Sequence, residues 1–278
     1  MPQYLLPSAP VATLDAYLAT ETGGLGLERA TELGPQAVID EVLRSGLRGR
    51  GGGGFLTGRK WGGVAGQSGT RYVVANGAEG EPSTFKDRAL MLANPYQLVE
   101  GVMIAAYAVG ATQAFIALKT AFEPQRAAVM RAITEMQEAG ICRDCELVVV
   151  GGPDEYLFGE EKALLEVIEG RPPLPRLLAP HEHGLFATAT HLGWEASEAD
   201  AERGTSNPTV VNNVETLSNV PHILARGAEW YRSMGTADAP GNVVATVVGD
   251  VVAPDVGEVE LGTPLGAVIR AVGSGPLG

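Results

Sequence analysis

Between Arg71 and Val150 short β-branched runs alternate with longer stretches of helical spacing. RYVVAN (71–76), QAFIALKT (113–120) and ELVVV (146–150) have strand length. Pro95–Val109 and Glu123–Ala139 carry apolar residues at helical intervals, and Gly140 stops the second. A chain built this way satisfies its strands by laying helices against a sheet, so the pattern predicts an α/β layer fold.

The flanking segments extend the pattern. Residues 34–45 and Gly159–Glu169 read as further helices, and 77–88 as a polar loop. Arg171–Pro180 is proline-rich, and 187–207 has no periodicity and reads as a surface insertion. A helix is expected near Asn213–Gly227, with Pro221 kinking it or splitting it in two. From Asn242 the character changes to two strands around a turn at Pro254–Gly257, then a helix after Thr263. This divides the chain into residues 1–240 and a small β-rich unit at 241–278.

The 278 residues are 45% apolar and 19% charged, with a net charge of −13. That balance is globular and argues against a nucleic-acid surface. The apolar run Gly101–Leu118 approaches membrane-spanning length. Gly110, Thr112 and Gln113 interrupt it, so a helix followed by a strand is expected, in a cytoplasmic protein with no direct membrane span. Only two cysteines occur, Cys142 and Cys145, with no second pair or histidine pair at ligand spacing, so no metal site is assigned.

Within this acidic chain, GLRGRGGGGFLTGRKW (46–61) is both basic and glycine-rich. It is no Walker A loop, and the dinucleotide fingerprint fits poorly, because a helix precedes it and 55–61 reads as continuing loop. Glycines still let backbone N–H groups approach an anion, Arg48, Arg50, Arg59 and Lys60 add charge, and Phe55 offers a stacking face. NGAEGEPSTFKDR (76–88) follows a strand, where open α/β sheets place ligands, and supplies Asn76, Glu79 and Glu81. YLFGEE (156–161) and NPTVVNNVET (207–216) enter helices. Acids at a helix start and asparagines at N-caps are ordinary there.

In order, these four stretches resemble the NADH- and FMN-binding flavoprotein subunit of respiratory complex I, and its relatives in NAD-linked hydrogenases and formate dehydrogenases. The resemblance runs from about Leu43 to Val220, and the unit from Asn242 is similar to the start of the family's β-grasp (SLBB-like) domain. It implies a Rossmann-like α/β sandwich binding FMN and NAD(H), with NADH as substrate. Carried over, Gly49, Arg50, Gly51, Gly52 and Lys60 would contact FMN, and Phe55 would stack on NADH. Asn76 and Glu79 would bond the flavin side and Glu81 the NADH ribose. Tyr156, Gly159, Glu160 and Glu161 would line the cleft between the rings, and Asn212, Asn213 and Thr216 would hold the ribityl phosphate end. The implied activity is that of an NADH dehydrogenase. Hydride passes from NADH to FMN, then single electrons pass to iron–sulfur partner subunits, in an assembly peripheral to a membrane complex. No side chain is expected to act as a catalytic acid or nucleophile.

Several features depart from the family. Ala78 stands where its members carry an acid, and Gly62 and Gly63 stand where a second aromatic is usual. The insertion is long, and the ligands of the family's 4Fe-4S cluster are absent, which suggests a fragment. Two other readings share the motifs: a ferredoxin-linked membrane electron-transport flavin subunit, and a non-catalytic assembly subunit. GEE and VNNVET favour the complex I branch.

Overall fold

A computed structural model describes residues 3–188 and 204–278. Four parallel strands form its main sheet: β1 (Tyr72–Asn76), β2 (Gln113–Lys119), β3 (Glu146–Gly152) and β4 (Thr209–Asn213), in the order β3-β2-β1-β4. The chain moves outward from β1 through β2 to β3, then returns to the other side of β1. The order therefore reverses between β1 and β4, the place where open sheets of this kind form a ligand crevice beyond the strand ends.

Alternate side chains serve opposite faces. Val73, Ala75, Ala114, Ile116 and Val210 join the large core, while Val74, Phe115, Ala117 and Val211 pack in a second cluster with Phe158, Leu164 and Leu165. The helix Pro95–Val109 lies in the large core with every residue buried except Tyr107. Asn94 caps its start by accepting from Gln97 N–H, and Gly110 ends it at φ 71°. The helix Val214–Arg226 crosses it so closely that a Cβ on Gly101 would stand 2.1 Å from the Leu217 carbonyl oxygen.

The expected alternation is present, but several local expectations change. β4 is new, since Thr209–Asn213 reads in the sequence only as the entrance to a helix. Residues 55–61 do not continue as loop: a helix covers Thr57–Ala65. Its glycines disfavour helix intrinsically, and burial of Trp61 and Val64 one turn apart overrides that. Pro221 lies inside one helix, not between two. Helices Leu14–Leu18 and Leu25–Leu33 add to the expected set, and the helix Lys86–Ala93 begins inside the expected loop 77–88.

At the C-terminal end, β5 (Asn242–Val247) and β6 (Asp255–Glu260) pair antiparallel, and the helix Leu265–Gly273 packs on them. The turn is not at Pro254–Gly257 but spans 248–254. Gly257 is paired in β6, where a Cβ would meet Val272 at 2.8 Å. Most of the expected insertion, 189–203, lies outside the described residues. Its flanks meet: Gly184 N–H donates to Ser206 O and Thr188 N–H to Thr205 O, at 2.8 and 2.9 Å. No helix among the described residues is long and apolar enough to cross a membrane.

Candidate functional site

The strand ends at the reversal point present two asparagines side by side, Asn76 of β1 opposite Asn213 of β4. The glycine loop closes over them. It is not a free linker, because its base is fastened by antiparallel bonds: Gly49 N–H to Phe55 O and Thr57 N–H to Leu47 O, both 2.9 Å. Arg50 N–H donates to Thr216 Oγ1 at 2.8 Å and pins the loop to the helix Val214–Arg226. Between these anchors Gly52 and Gly54 adopt φ of 106° and 59°, and Cβ atoms on Gly52, Gly53 or Gly54 would meet only open space. Backbone thus faces an opening wide enough for a flat ligand.

That opening is a cleft of two adjoining chambers, about 410 and 610 Å3, sharing Gly51, Asn76, Gly159, Glu160 and Asn213. The smaller adds Arg50, Gly52, Glu79, Glu81 and Tyr156 from the expected set, and the larger adds Gly49, Phe55, Lys60, Glu161 and Asn212. Every expected site residue except Thr216 lies on this wall. Thr216 is fully buried and acts behind it, as the acceptor for Arg50 N–H.

The bonds sort these residues into those facing the cleft and those that build it. Asn76 donates Nδ2–H to Gly159 O at 2.7 Å and accepts from Ala78 N–H at 3.1 Å, so it ties two wall loops together. Asn212 Oδ1 accepts from Trp61 Nε1 at 2.8 Å, and Asn213 caps its helix by accepting from Glu215 N–H at 2.9 Å. Glu79 is spent within its loop, on Asp87 N–H at 3.0 Å and Arg88 Nε at 2.9 Å. Phe55 is 53% exposed, with its ring available at the rim. Tyr156 Oη donates to Glu81 at 2.7 Å, and that bond and charge raise the tyrosine's pKa. Lys60 Nζ pairs with Glu161 and also donates to Val211 O at 2.9 Å.

Arg50 departs from expectation. Its guanidinium turns away from the cleft and donates to Tyr231 Oη at 2.8 Å and Asn242 O at 3.0 Å. It lies 4.0 Å from Glu215, a wholly buried carboxylate that also meets Lys86 Nζ at 2.8 Å. Burial raises the Glu215 pKa and Lys86 opposes that. At Lys86 burial acts downward, but Asp87 and Glu215 outweigh it and hold the ammonium above its usual range. Lys86 and Asp87 line the smaller chamber, and so do Val244 and Thr246 of β5. The Lys86–Asp87 pair stands in a recognised stretch, but no local signal joins β5 to residues so far upstream.

Residues 42–222 match the family described as the Nuo51 FMN-binding domain. The chain is 37% identical over 278 aligned positions to an NADH-quinone oxidoreductase flavin-domain homologue from Aquifex aeolicus, covering 96% of this chain and 61% of that one. It is 39% identical to the NADH-quinone oxidoreductase counterpart from Streptomyces coelicolor, over 93% and 55% of the two chains. It is 34% identical to the alpha subunit of the NAD-reducing hydrogenase HoxS of Cupriavidus necator, over 97% and 46%. Among solved structures, a crystal structure of an NAD+-reducing NiFe-hydrogenase in its H2-reduced state superposes with a TM-score of 0.78 at 35% identity, over 97% of this chain and 44% of that one. The chain therefore spans about half to three-fifths of the length of these relatives. With its motifs in order, its fold superposable over nearly its whole length and the family match covering the entire cleft-building segment, the chain belongs to the Nuo51 FMN-binding domain family.

Proposed function

We propose that this chain is the FMN- and NADH-binding module of an NADH dehydrogenase, passing electrons to iron–sulfur partner subunits. The observation that carries the reading is the two-chambered cleft at the β1–β4 reversal, walled on one side by backbone of the glycine loop. Two flat nucleotides need such a place: open space beside Gly52, Gly53 and Gly54 for close approach, and two connected volumes so that their rings can meet. The chemistry FMN supplies when bound there is acceptance of hydride from nicotinamide and release of electrons one at a time.

The chain's own residues position and seal. Asn76 and Asn213 hold the floor rigid through the bonds described above. Phe55 offers a stacking face at the rim, and Glu81 an acceptor for a ribose hydroxyl. Lys60 brings a cation whose orientation is fixed by Glu161 and the Val211 carbonyl. None is asked to move a proton to or from the substrate.

On this reading residues 241–278 are an incomplete β-grasp unit that also walls the smaller chamber. The module works in the cytoplasm, within an assembly peripheral to a membrane. The test is flavin retention. The purified chain loaded with FMN should stay yellow through gel filtration, and Lys60→Ala should retain less. A chain that takes up no FMN would refute the reading and leave a non-catalytic member of the family.

A further inference from the structure

Four basic side chains stand between residues 48 and 60, and three are spent within the protein. Arg48 donates to Gly54 O at 3.1 Å, Arg50 is drawn to Tyr231 and Asn242, and Lys60 is held by Glu161 and Val211 O. Arg59 differs. It is exposed on the wall of the larger chamber, with no hydrogen-bond or ion-pair partner among the described residues.

Arg59 is the third residue of the nine-residue helix Thr57–Ala65. At that helix start Thr57 N–H is taken by Leu47 O and Lys60 N–H by Leu56 O, whereas the N–H groups of Gly58 and Arg59 meet no acceptor among the described residues. The helix end alone would say little. A second observation is independent of it: Thr57 lines the same chamber, is 1% exposed, and its buried hydroxyl has no partner. A buried hydroxyl left without a bond is costly, and a structure that keeps one at a cavity wall has a use for it. An uncommitted guanidinium, two free amides and an unpartnered hydroxyl converge on phosphate oxygens as their ligand.

We infer that Arg59 and the first turn of this helix take the diphosphate of the dinucleotide, not the phosphate of the resident flavin. The inference rests on the proposed reading of the cleft and adds a residue that sets affinity for the exchanging nucleotide. The position selects between the two phosphates. Arg59 is open to solvent on the wall it shares with exposed Phe55, where a ligand that enters and leaves must pass. A long cationic side chain with no internal partner is suited to a group that is present only part of the time.

The test is calorimetric titration of the FMN-loaded full chain with ADP-ribose, which carries the diphosphate without a redox ring, and with adenosine, which carries no phosphate. Arg59→Ala should weaken ADP-ribose binding about tenfold and flatten its salt dependence, with adenosine binding and FMN retention unchanged. Arg59→Lys should restore part of the loss, and Thr57→Val should weaken ADP-ribose severalfold. Unchanged ADP-ribose affinity in Arg59→Ala would overturn the inference. So would loss of FMN from that variant with ADP-ribose affinity intact, which would assign the phosphate to the flavin. Failure of the unaltered chain to bind ADP-ribose would overturn the dinucleotide reading of the cleft itself, and the inference with it.

Discussion

β1 and β2 bury nearly every side chain, and the sheet they centre is gripped on both faces by apolar residues. β5 and β6 are attached by different means. Glu258, 3% exposed, accepts from the N–H groups of Tyr4, Leu5 and Leu6 through one oxygen and from Asn242 Nδ2 through the other. Glu215 accepts from Val244 N–H, Arg50 donates to Asn242 O, and Thr246 Oγ1 accepts from Phe85 N–H. Only a small apolar cluster, Leu5, Leu90 and Val244, accompanies them among the described residues. Apolar packing tolerates adjustment, whereas a buried carboxylate fails as soon as its donors move. The hairpin is thus held by geometry, and the same hairpin contributes Val244 and Thr246 to the cleft.

The sharpest way to break this contrast is Glu258→Ala. It leaves three backbone donors and the Asn242 amide without their acceptor, and should cost about 3 kcal/mol, read by chemical denaturation. It should also expose 241–278 to proteolysis before the sheet. A loss below about 1 kcal/mol would mean that apolar contact holds the hairpin after all. Next is Gly101→Ala, which tests the sheet side. Its methyl would press on the backbone of Leu217, and about 2 kcal/mol should be lost with the hairpin still attached.

A smaller effect is expected from pH. His222 is buried, its Nδ1 facing Thr22 Oγ1 at 2.9 Å and its Nε2 facing Gln97 Oε1 at 3.0 Å. Gln97 Nε2 donates to Leu5 O, which fixes the amide so that His222 Nε2–H donates and Thr22 Oγ–H donates to Nδ1. Burial, helped by Arg226, lowers the histidine from 6.5 to about 3. The neutral form is thus favoured by folding, and its contribution is complete above pH 6.5 and is lost as pH falls towards 3. Melting temperature should fall over that window, and His222→Gln should flatten the slope. The least effect belongs to Cys142 and Cys145, buried free thiols that burial pushes up to about 12 and about 11. Thiol reagents should label neither at neutral pH in the folded protein, and fast labelling of either would show that end of the sheet to be open.

Legibility in the sequence follows the same division. Strands β1 to β3 and their helices are visible because burial there is periodic and local. β4 is hidden by brevity and by the asparagines that end it. The helix Thr57–Ala65 is hidden by glycines whose use is close packing, as at Gly58, where a Cβ would stand 2.5 Å from Leu43 N. The cleft residues are legible as motifs, but their division of labour is not. That Arg50 faces inward, that Glu79 serves its own loop and that Thr216 acts from behind the wall depend on partners up to 192 residues away. No spacing rule reaches that far.

The central claim is that one cleft brings NADH to bound FMN. It is tested most directly by adding NADH to the flavin-loaded chain with oxygen excluded and following the flavin absorbance. The account predicts that the flavin band bleaches with one NADH consumed per flavin, and more slowly in Phe55→Ala at equal FMN content. A flavin-loaded chain that stays yellow under excess NADH would contradict it.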